Sequence, residues 1–210
     1  DGVSMYRSTP IGVGCTAGWV LQGNSGGTYM LTAGHCATWG TTWYSNPMWV
    51  YTSSGEQCTP GTSIVGNAPW SGYDWGIESL SGACGGVWSA IHDFATGENF
   101  EQQGAVHAYV GEIVCHYGIT TPQACGNVFA AHTSATIAYA SGNWTVQQVD
   151  EVCGLSQPGD SGGPASDSTY RGAATGINIA GGTYSACSGG HYFIEEGIFP
   201  ILEQSNTYVY

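Results

Sequence analysis

Glycine constrains this chain more than any other residue, because it fills 34 of the 210 positions. Between Gly, Asn and Pro residues lie short apolar runs whose lengths suit strands rather than helices. These runs are residues 18–21, 29–32, 48–52, 105–115, 134–140 and 144–149. The pattern predicts an all-β sandwich or barrel, with one short helix near residues 199–204.

Charge is sparse and almost entirely negative. The basic residues are Arg7 and Arg171, there is no Lys, and 15 carboxylates give a formal charge of −13. A chain with so few cations offers no basic face for nucleic acid. An anionic membrane surface would repel it, and no apolar run is long enough to span a membrane. The scattered carboxylates fit two interpretations, which are simple solubility and adaptation to acid.

The cysteine count and the first residue indicate secretion. Eight cysteines are an even number, which is typical of disulfides formed in an oxidising compartment. Eight cysteines allow about a hundred pairings, so the count fixes none of them. The chain begins at Asp1 with no visible signal peptide, as expected of a processed mature chain.

Three glycine-flanked segments contain the residue types that are needed to activate a serine hydroxyl as a nucleophile. They are residues 31–36, 73–77 and 158–164, which contain His35, Asp74 and Ser161. A serine needs a base within hydrogen-bond reach, and that base needs a third group to fix its tautomer. His35 or Asp74 alone is weak evidence, because such residues are more often structural. Gly-Asp-Ser-Gly-Gly-Pro is specific, because its glycines let the chain fold tightly around one exposed hydroxyl.

Thr-Ala-Gly-His-Cys followed by Gly-Asp-Ser-Gly-Gly-Pro resembles the trypsin and chymotrypsin family of serine proteases, which has the same order of His, Asp and Ser. Residues 115–126 resemble its bacterial streptogrisin and α-lytic branch. The resemblance covers nearly the whole chain. It implies two antiparallel six-stranded β-barrels with the active site between them. We expect residues 1–98 to carry His35 and Asp74, and residues 99–210 to carry Ser161 and the substrate pocket.

The resemblance also implies a role for each residue. His35 is the general base and then the general acid, Asp74 orients it, and Ser161 attacks the peptide carbonyl. The amides of Gly159 and Ser161 form the oxyanion hole. The implied protein is a secreted, monomeric endopeptidase that acts on polypeptides and needs no cofactor or metal.

Three disulfides follow from the same resemblance: Cys15–Cys36, Cys115–Cys125 and Cys153–Cys187. Cys58 and Cys84 remain and are paired by elimination.

The chain departs from its bacterial relatives at two places. Those relatives carry Ser just before the Gly-Gly of the substrate-binding strand, where its hydroxyl contacts the catalytic Asp. Here Ala180 stands before Gly181 and Gly182, so Asp74 must find another donor. The loop of residues 153–158 is also longer than in close relatives.

We expect the primary substrate pocket between residues 155–158 and 177–182, with residues 189–192 near its base. No carboxylate lies in these segments, so cleavage after Lys or Arg is not expected. The pocket favours a medium or large apolar side chain, although His191 would suit an acidic one if it lined the wall. The predicted pocket residues are Leu155, Gln157, Pro158, Ile179, Ala180, Gly181, Gly182, His191 and Tyr192.

Asp160 precedes the nucleophile and needs a partner if it is buried. Bacterial relatives supply an Arg from a Cys-Arg-x-Gly stretch, where this chain has His116. We expect His116 to form an ion pair with Asp160 and to have a raised pKa. The alternative is that His116 is exposed and that backbone amides or water satisfy Asp160.

A different class of protein competes with the protease. Eight Trp and thirteen Tyr would also serve a non-catalytic secreted β-rich protein that binds carbohydrate or protein. A metalloenzyme is less well supported, because the chain contains no His-Glu-x-x-His pattern.

Overall fold

A computed structural model gives the structure of residues 4–6, 14–39, 42–43, 49–51, 57–58, 64–80, 90–93 and 95–209. In the N-terminal half the strands are β1 Ser4–Tyr6, β2 Cys15–Thr16, β3 Val20–Gly23, β4 Thr28–Ala33, β5 Thr38–Trp39, β6 Thr42–Trp43, β7 Trp49–Tyr51, β8 Gln57–Cys58, β9 Ile64–Asn67, β10 Trp75–Ser79, β11 Ala90–His92 and β12 Asn99–Glu101. Two 3-10 turns span Gly34–Ala37 and Pro69–Ser71.

The C-terminal half continues with six strands, a helix and a final strand. These are β13 Ile113–His116, β14 Ala124–Tyr139, β15 Gly142–Cys153, β16 Pro164–Asp167, β17 Ala174–Thr183, β18 His191–Gly197, α1 Ile198–Ser205 and β19 Thr207–Val209. The predicted short C-terminal helix is confirmed as α1. Among the described residues no helix is long and apolar enough to cross a membrane.

The C-terminal strands pair in a closed ring in the order β13, β14, β15, β18, β17 and β16, and β16 returns to β13. All these pairs are antiparallel, which suits a chain whose strands follow one another through short turns. Val114, Val128, Val152, Ala165 and Phe193 fill one cluster of the ring's core.

The N-terminal half forms a five-stranded sheet in the order β19-β3-β4-β10-β9 and a four-stranded sheet in the order β2-β1-β7-β8. The mostly β architecture is therefore confirmed. Two six-stranded barrels are not confirmed as predicted, because no ring of six strands is present in the described N-terminal residues. The last strand of the chain, β19, pairs with β3, so it belongs to the N-terminal sheet. The predicted boundary at residue 98 stays a prediction.

A single apolar core joins the two halves. It contains Trp19 and Leu31 from the N-terminal half and Ile177 and Ile198 from the C-terminal half, all almost fully buried. The indole Nε1 of Trp19 donates to the carbonyl oxygen of Gly176 at 2.7 Å inside this core. A buried polar group needs such a partner, so the contact fixes how the two halves meet.

The three disulfides implied by the resemblance are present: Cys15–Cys36, Cys115–Cys125 and Cys153–Cys187. The remaining predicted pair falls on Cys84, which lies outside the described residues.

Within the part of the chain that the structure describes, Glu195 and Asp150 are among the carboxyl groups of the C-terminal half that are buried without an ion pair to Lys or Arg. Glu195 is fully buried, and its Oε2 accepts the Thr175 hydroxyl at 3.0 Å. Burial, and after it the charge of Asp150, raises the pKa of Glu195 well above its usual value. Asp150 lines a cavity of about 310 Å³ beside α1, and burial raises its pKa as well. These groups favour the protonated form when the chain folds.

We expect Glu195→Gln to flatten the pH dependence of thermal stability. A carboxyl whose pKa is raised by folding contributes stability that is fully present below its unfolded pKa and is lost as the pH rises through the folded value. The amide cannot ionise, so the Tm of the variant should exceed that of the wild type at pH 8 and match it near pH 4. Thermal unfolding followed by circular dichroism measures this, with the exposed Glu101→Gln as the control. A variant whose Tm follows that of the wild type at every pH would contradict the effect.

Candidate active site

Strand pairing brings His35 and Asp74 together. β4 and β10 are antiparallel with Ala33 opposite Trp75, and His35 follows the end of β4 while Asp74 precedes the start of β10. The Nδ1 atom of His35 lies 2.7 Å from Oδ2 of Asp74, and the His35 amide donates to Oδ1 at 2.7 Å. Asp74 has no solvent-exposed surface. A carboxylate held in this way keeps Nδ1 protonated and leaves Nε2 as the basic atom.

Ser161 lies on a tight loop before β16, at the junction of the two halves. Gly159 and Gly162 have φ angles of 107° and 87°, which L side chains rarely adopt. A Cβ atom on Gly162 would also collide with Thr16 and Thr32 of the N-terminal half. The loop is therefore held close to β2, where the Thr16 amide donates to the Ser161 carbonyl at 2.8 Å and its hydroxyl donates to the Gly159 carbonyl at 2.8 Å.

His35 and Ser161 face one cleft of about 430 Å³. Six predicted pocket residues line it, namely Gln157, Pro158, Ile179, Ala180, Gly181 and Tyr192. Leu155, Gly182 and His191 are not in its lining, and their assignment to the substrate pocket stays a prediction. The Leu155 carbonyl lies 2.7 Å from Nε2 of His116.

Sequence reasoning missed one wall of the cleft. Residues 136–140 at the end of β14 line it, together with Ser156 and Ile194. No local motif marks these residues, because the hairpin of β14 and β15 reaches the cleft only through the long pairing of those two strands.

Sequence reasoning also missed two partners of Asp74. The Tyr139 hydroxyl donates to Oδ2 at 2.9 Å, and the Asp74 amide donates to Oε2 of Glu196 at 2.5 Å. Burial, and after it the Asp74 charge, raises the pKa of Glu196 well above its usual value. The same two causes raise the pKa of the Tyr139 hydroxyl. One feature of the sequence indicated such a partner. Ala180 stands where the family resemblance implies a serine, so Asp74 was expected to find a donor elsewhere.

The predicted ion pair between His116 and Asp160 was wrong. Asp160 is fully buried and accepts backbone amides instead, from Thr120 and Thr121 at Oδ1 and from Gln157 at Oδ2, at 2.8 to 2.9 Å. His116 is buried rather than exposed, and its hydrogen bond is to Leu155. Burial lowers the pKa of His116, against the weaker opposing effects of that bond and of the Asp160 charge. The prediction of a raised pKa for His116 was wrong, because the desolvation of the buried imidazole outweighs its attraction to Asp160.

One group of residues has the spacing of a metal site. Among the described residues, the potential ligand atoms of Cys15, His35 and Cys36 lie within 4.8 Å of one another. Both sulfurs belong to the Cys15–Cys36 disulfide, so they do not act as thiolate ligands. His35 is therefore the one residue of this group with a free ligand atom, and the group is a histidine next to a disulfide rather than a thiolate metal site.

Comparison with known proteins agrees with this geometry. Serine protease 2 of Streptomyces fradiae is 35% identical over 153 residues, which cover 71% of this chain and 78% of that protein. Protease A of Thermobifida fusca has the same fold with a TM-score of 0.74 and 24% identity, covering 99% of this chain and 96% of that one. A glutamic acid-specific serine protease matches equally, with a TM-score of 0.74, 24% identity and coverage of 100% and 98%. No protein-family model matches the chain.

A hydrogen-bonded His and Asp that face a serine across a cleft between two β-rich halves define a serine protease site. The chain belongs to the chymotrypsin-like family of serine proteases, in its bacterial branch. Membership in this family disfavours the non-catalytic binding protein.

We expect Asp160→Asn to lower both stability and activity. The amide nitrogen would face at least one backbone N–H that now donates to a carboxylate oxygen, and a hydrogen bond to a charged group contributes about 1.5–3 kcal/mol. At about 2–4 °C per kcal/mol for a chain of this size, the Tm should fall by about 3–12 °C, and kcat should fall because the loop carries Ser161. Calorimetry and peptidase assays test this, with the exposed Glu101→Gln as the control. An Asp160→Asn variant with the wild-type Tm and kcat would show that the amides do not depend on the charge.

Proposed function

We propose that this serine protease is a secreted endopeptidase that cleaves after apolar residues through an acyl-enzyme at Ser161 and remains folded in acid. The observation that carries the proposal is the cleft that His35 and Ser161 share, with His35 hydrogen-bonded to a buried Asp74.

The reaction follows from the positions of these groups. The Ser161 hydroxyl oxygen attacks the carbonyl carbon while its proton passes to Nε2 of His35. The amides of Gly159 and Ser161 stabilise the oxyanion of the tetrahedral intermediate. His35 then gives the proton to the leaving amine as the C–N bond breaks. Water repeats the sequence on the acyl-enzyme and releases the carboxylic acid and the free serine.

The cleft favours an apolar substrate side chain. Ile137, Ile179 and Ile194 line it and are almost fully buried, and none of the described lining residues is Asp, Glu, Lys or Arg. An unpaired charge is costly in such a place. The glutamic acid-specific relative uses a histidine triad in substrate binding. In this cleft the described lining contains one histidine, His35, which the reaction itself requires.

Acid tolerance is supported by how the acidic groups are held. Among the described residues, the ion pair between a carboxylate and Lys or Arg is Arg171–Glu98, at 3.4 Å with both side chains more than half exposed. Such a pair contributes little, so little ion-pair energy is lost when carboxylates are protonated. The pKa values of Glu195 and Glu196 are raised by folding. Their contribution to the stability of the fold is therefore fully present at acidic pH and is lost as the pH rises.

Polypeptides are the substrates that the family implies. We propose that the enzyme acts as a monomer after removal of a pro-segment and has no nucleic acid or membrane partner. The formal charge of −13 supports the absence of nucleic acid and membrane partners, since both carry negative charge.

We expect Ser161→Ala to abolish peptidase activity without unfolding the chain. Loss of a triad member costs several orders of magnitude in kcat, whereas one hydroxyl at a cleft surface adds little to packing. A fluorophosphonate should label the wild type at Ser161 and should not label the variant. A folded variant that keeps substantial turnover would refute the nucleophile.

We expect cleavage after Phe, Leu, Tyr or Met at least about ten-fold faster than after Lys, Arg or Glu, because one well-placed apolar contact is worth about 10- to 200-fold. Cleavage-site profiling on a mixed peptide library at several pH values measures this. A profile dominated by Glu would show that a histidine binds the substrate, and one dominated by Lys or Arg would show that the pocket lies elsewhere.

A further inference from the structure

Asp74 carries a buried charge that needs more than one donor. The carboxylate has no exposed surface, and a buried carboxylate is stable as an anion only when several hydrogen bonds reach it. The His35 amide satisfies Oδ1, and Nδ1 of His35 reaches Oδ2. The methyl side chain of Ala180, where the family resemblance implies a serine donor, has no donor.

Tyr139 fills this need from a different element. It is the last residue of β14, and its hydroxyl lies 2.9 Å from Oδ2 of Asp74, the same oxygen that accepts Nδ1 of His35. Its ring lies beside the His35 ring, with centroids 5.2 Å apart and an angle of 55° between the planes. The phenol therefore contacts both the imidazole and the carboxylate.

We propose that Tyr139 is a positioning residue that fixes the Asp74 carboxylate so that it holds His35 in the reactive orientation. The inference rests on the proposed function, because it concerns the same triad.

The chemistry of the phenol suits this role. Burial, followed by the Asp74 charge and with Glu196 adding to it, raises the pKa of the Tyr139 hydroxyl. The hydroxyl therefore keeps its proton and remains a donor at every pH at which the enzyme works. The titratable groups that face Asp74 are His35, Tyr139 and Glu196, so no cation besides a protonated His35 competes with the tyrosine among these contacts.

The position of Tyr139 also connects the triad to the substrate cleft. Asp74 lies in the N-terminal half, whereas Tyr139 and Glu196 reach it from β14 and β18 of the ring. Tyr139 lines the cleft as well. One side chain therefore joins the two halves, shields the carboxylate from water and forms part of the wall against which the substrate packs.

Tyr139→Phe tests the proposal, because it removes one hydroxyl and keeps the ring. We expect kcat to fall roughly 3- to 30-fold, as the loss of one hydrogen bond at the triad would give, while KM changes less than about two-fold. With one donor fewer, the Asp74 charge stabilises the protonated His35 more strongly, so the acid limb of the kcat/KM profile should move to higher pH. Tyr29→Phe, a half-buried tyrosine outside the cleft, is the matched control.

A merely structural role for Tyr139 would leave the pH profile in place. If Tyr139→Phe keeps the wild-type kcat and the wild-type acid limb, the proposal is overturned. The same holds if KM rises and kcat does not change, since the tyrosine would then act only on substrate binding. Thermal unfolding of both variants verifies that the proteins compared are folded.

A second variant tests the exchange of donors directly. Adding Ala180→Ser to Tyr139→Phe places a hydroxyl at the position where the family resemblance implies a serine donor to Asp74. Recovery of kcat and of the acid limb supports the proposal, and a double variant as slow as Tyr139→Phe counts against it.

Fluorophosphonate labelling of the wild type separates this inference from the proposed function. A wild type that neither reacts nor cleaves peptides refutes the protease site itself. A reactive wild type with an unaffected Tyr139→Phe refutes only the role of Tyr139.

Discussion

The buried carboxylate of Asp74 is the constraint on which the rest of the site depends. A charge without exposed surface must be hydrogen-bonded from several sides, and its partners come from both halves of the chain. His35 reaches the carboxylate from the end of β4 and the Tyr139 hydroxyl reaches it from the ring, while Glu196 of the ring accepts the backbone amide of Asp74. Satisfying this one group therefore requires the halves to meet in a single way, which is also the way that places Ser161 across the cleft from His35.

The scarcity of cations shapes the remaining polar interior. With two Arg and no Lys, buried carboxylates take backbone amides as donors. Asp160 accepts three amides and Asp167 accepts those of Thr169 and Tyr170. Glu195 and Glu196 instead favour the protonated form, because burial raises the pKa of each. Both solutions hold acidic groups in place without the ion pairs that acid would break.

The loop around Ser161 shows how local and long-range contacts combine. Gly159 and Gly162 permit its positive φ angles, which is a property of the hexapeptide itself. Its position is set from outside, by Thr16 across the junction, by Asn178, whose carbonyl accepts the Gly162 amide at 2.7 Å, and by the amides that surround Asp160. A tight turn thus presents the hydroxyl, and the neighbouring strands fix where it points.

The sequence by itself indicated the mostly β architecture and the short C-terminal helix, because these depend on short apolar runs between glycine residues. The family resemblance of its contiguous motifs implied the three disulfides and the proposed triad of His35, Asp74 and Ser161. Tertiary structure alone decided the rest. It gives Asp160 backbone amides as partners in place of His116, adds residues of β14 to the lining of the cleft, and brings Tyr139 to Asp74. Such contacts join residues that are 65 positions apart in the case of Tyr139 and Asp74. Strand register and desolvation determine which residues form these contacts. Neither property can be predicted from a local pattern of residues.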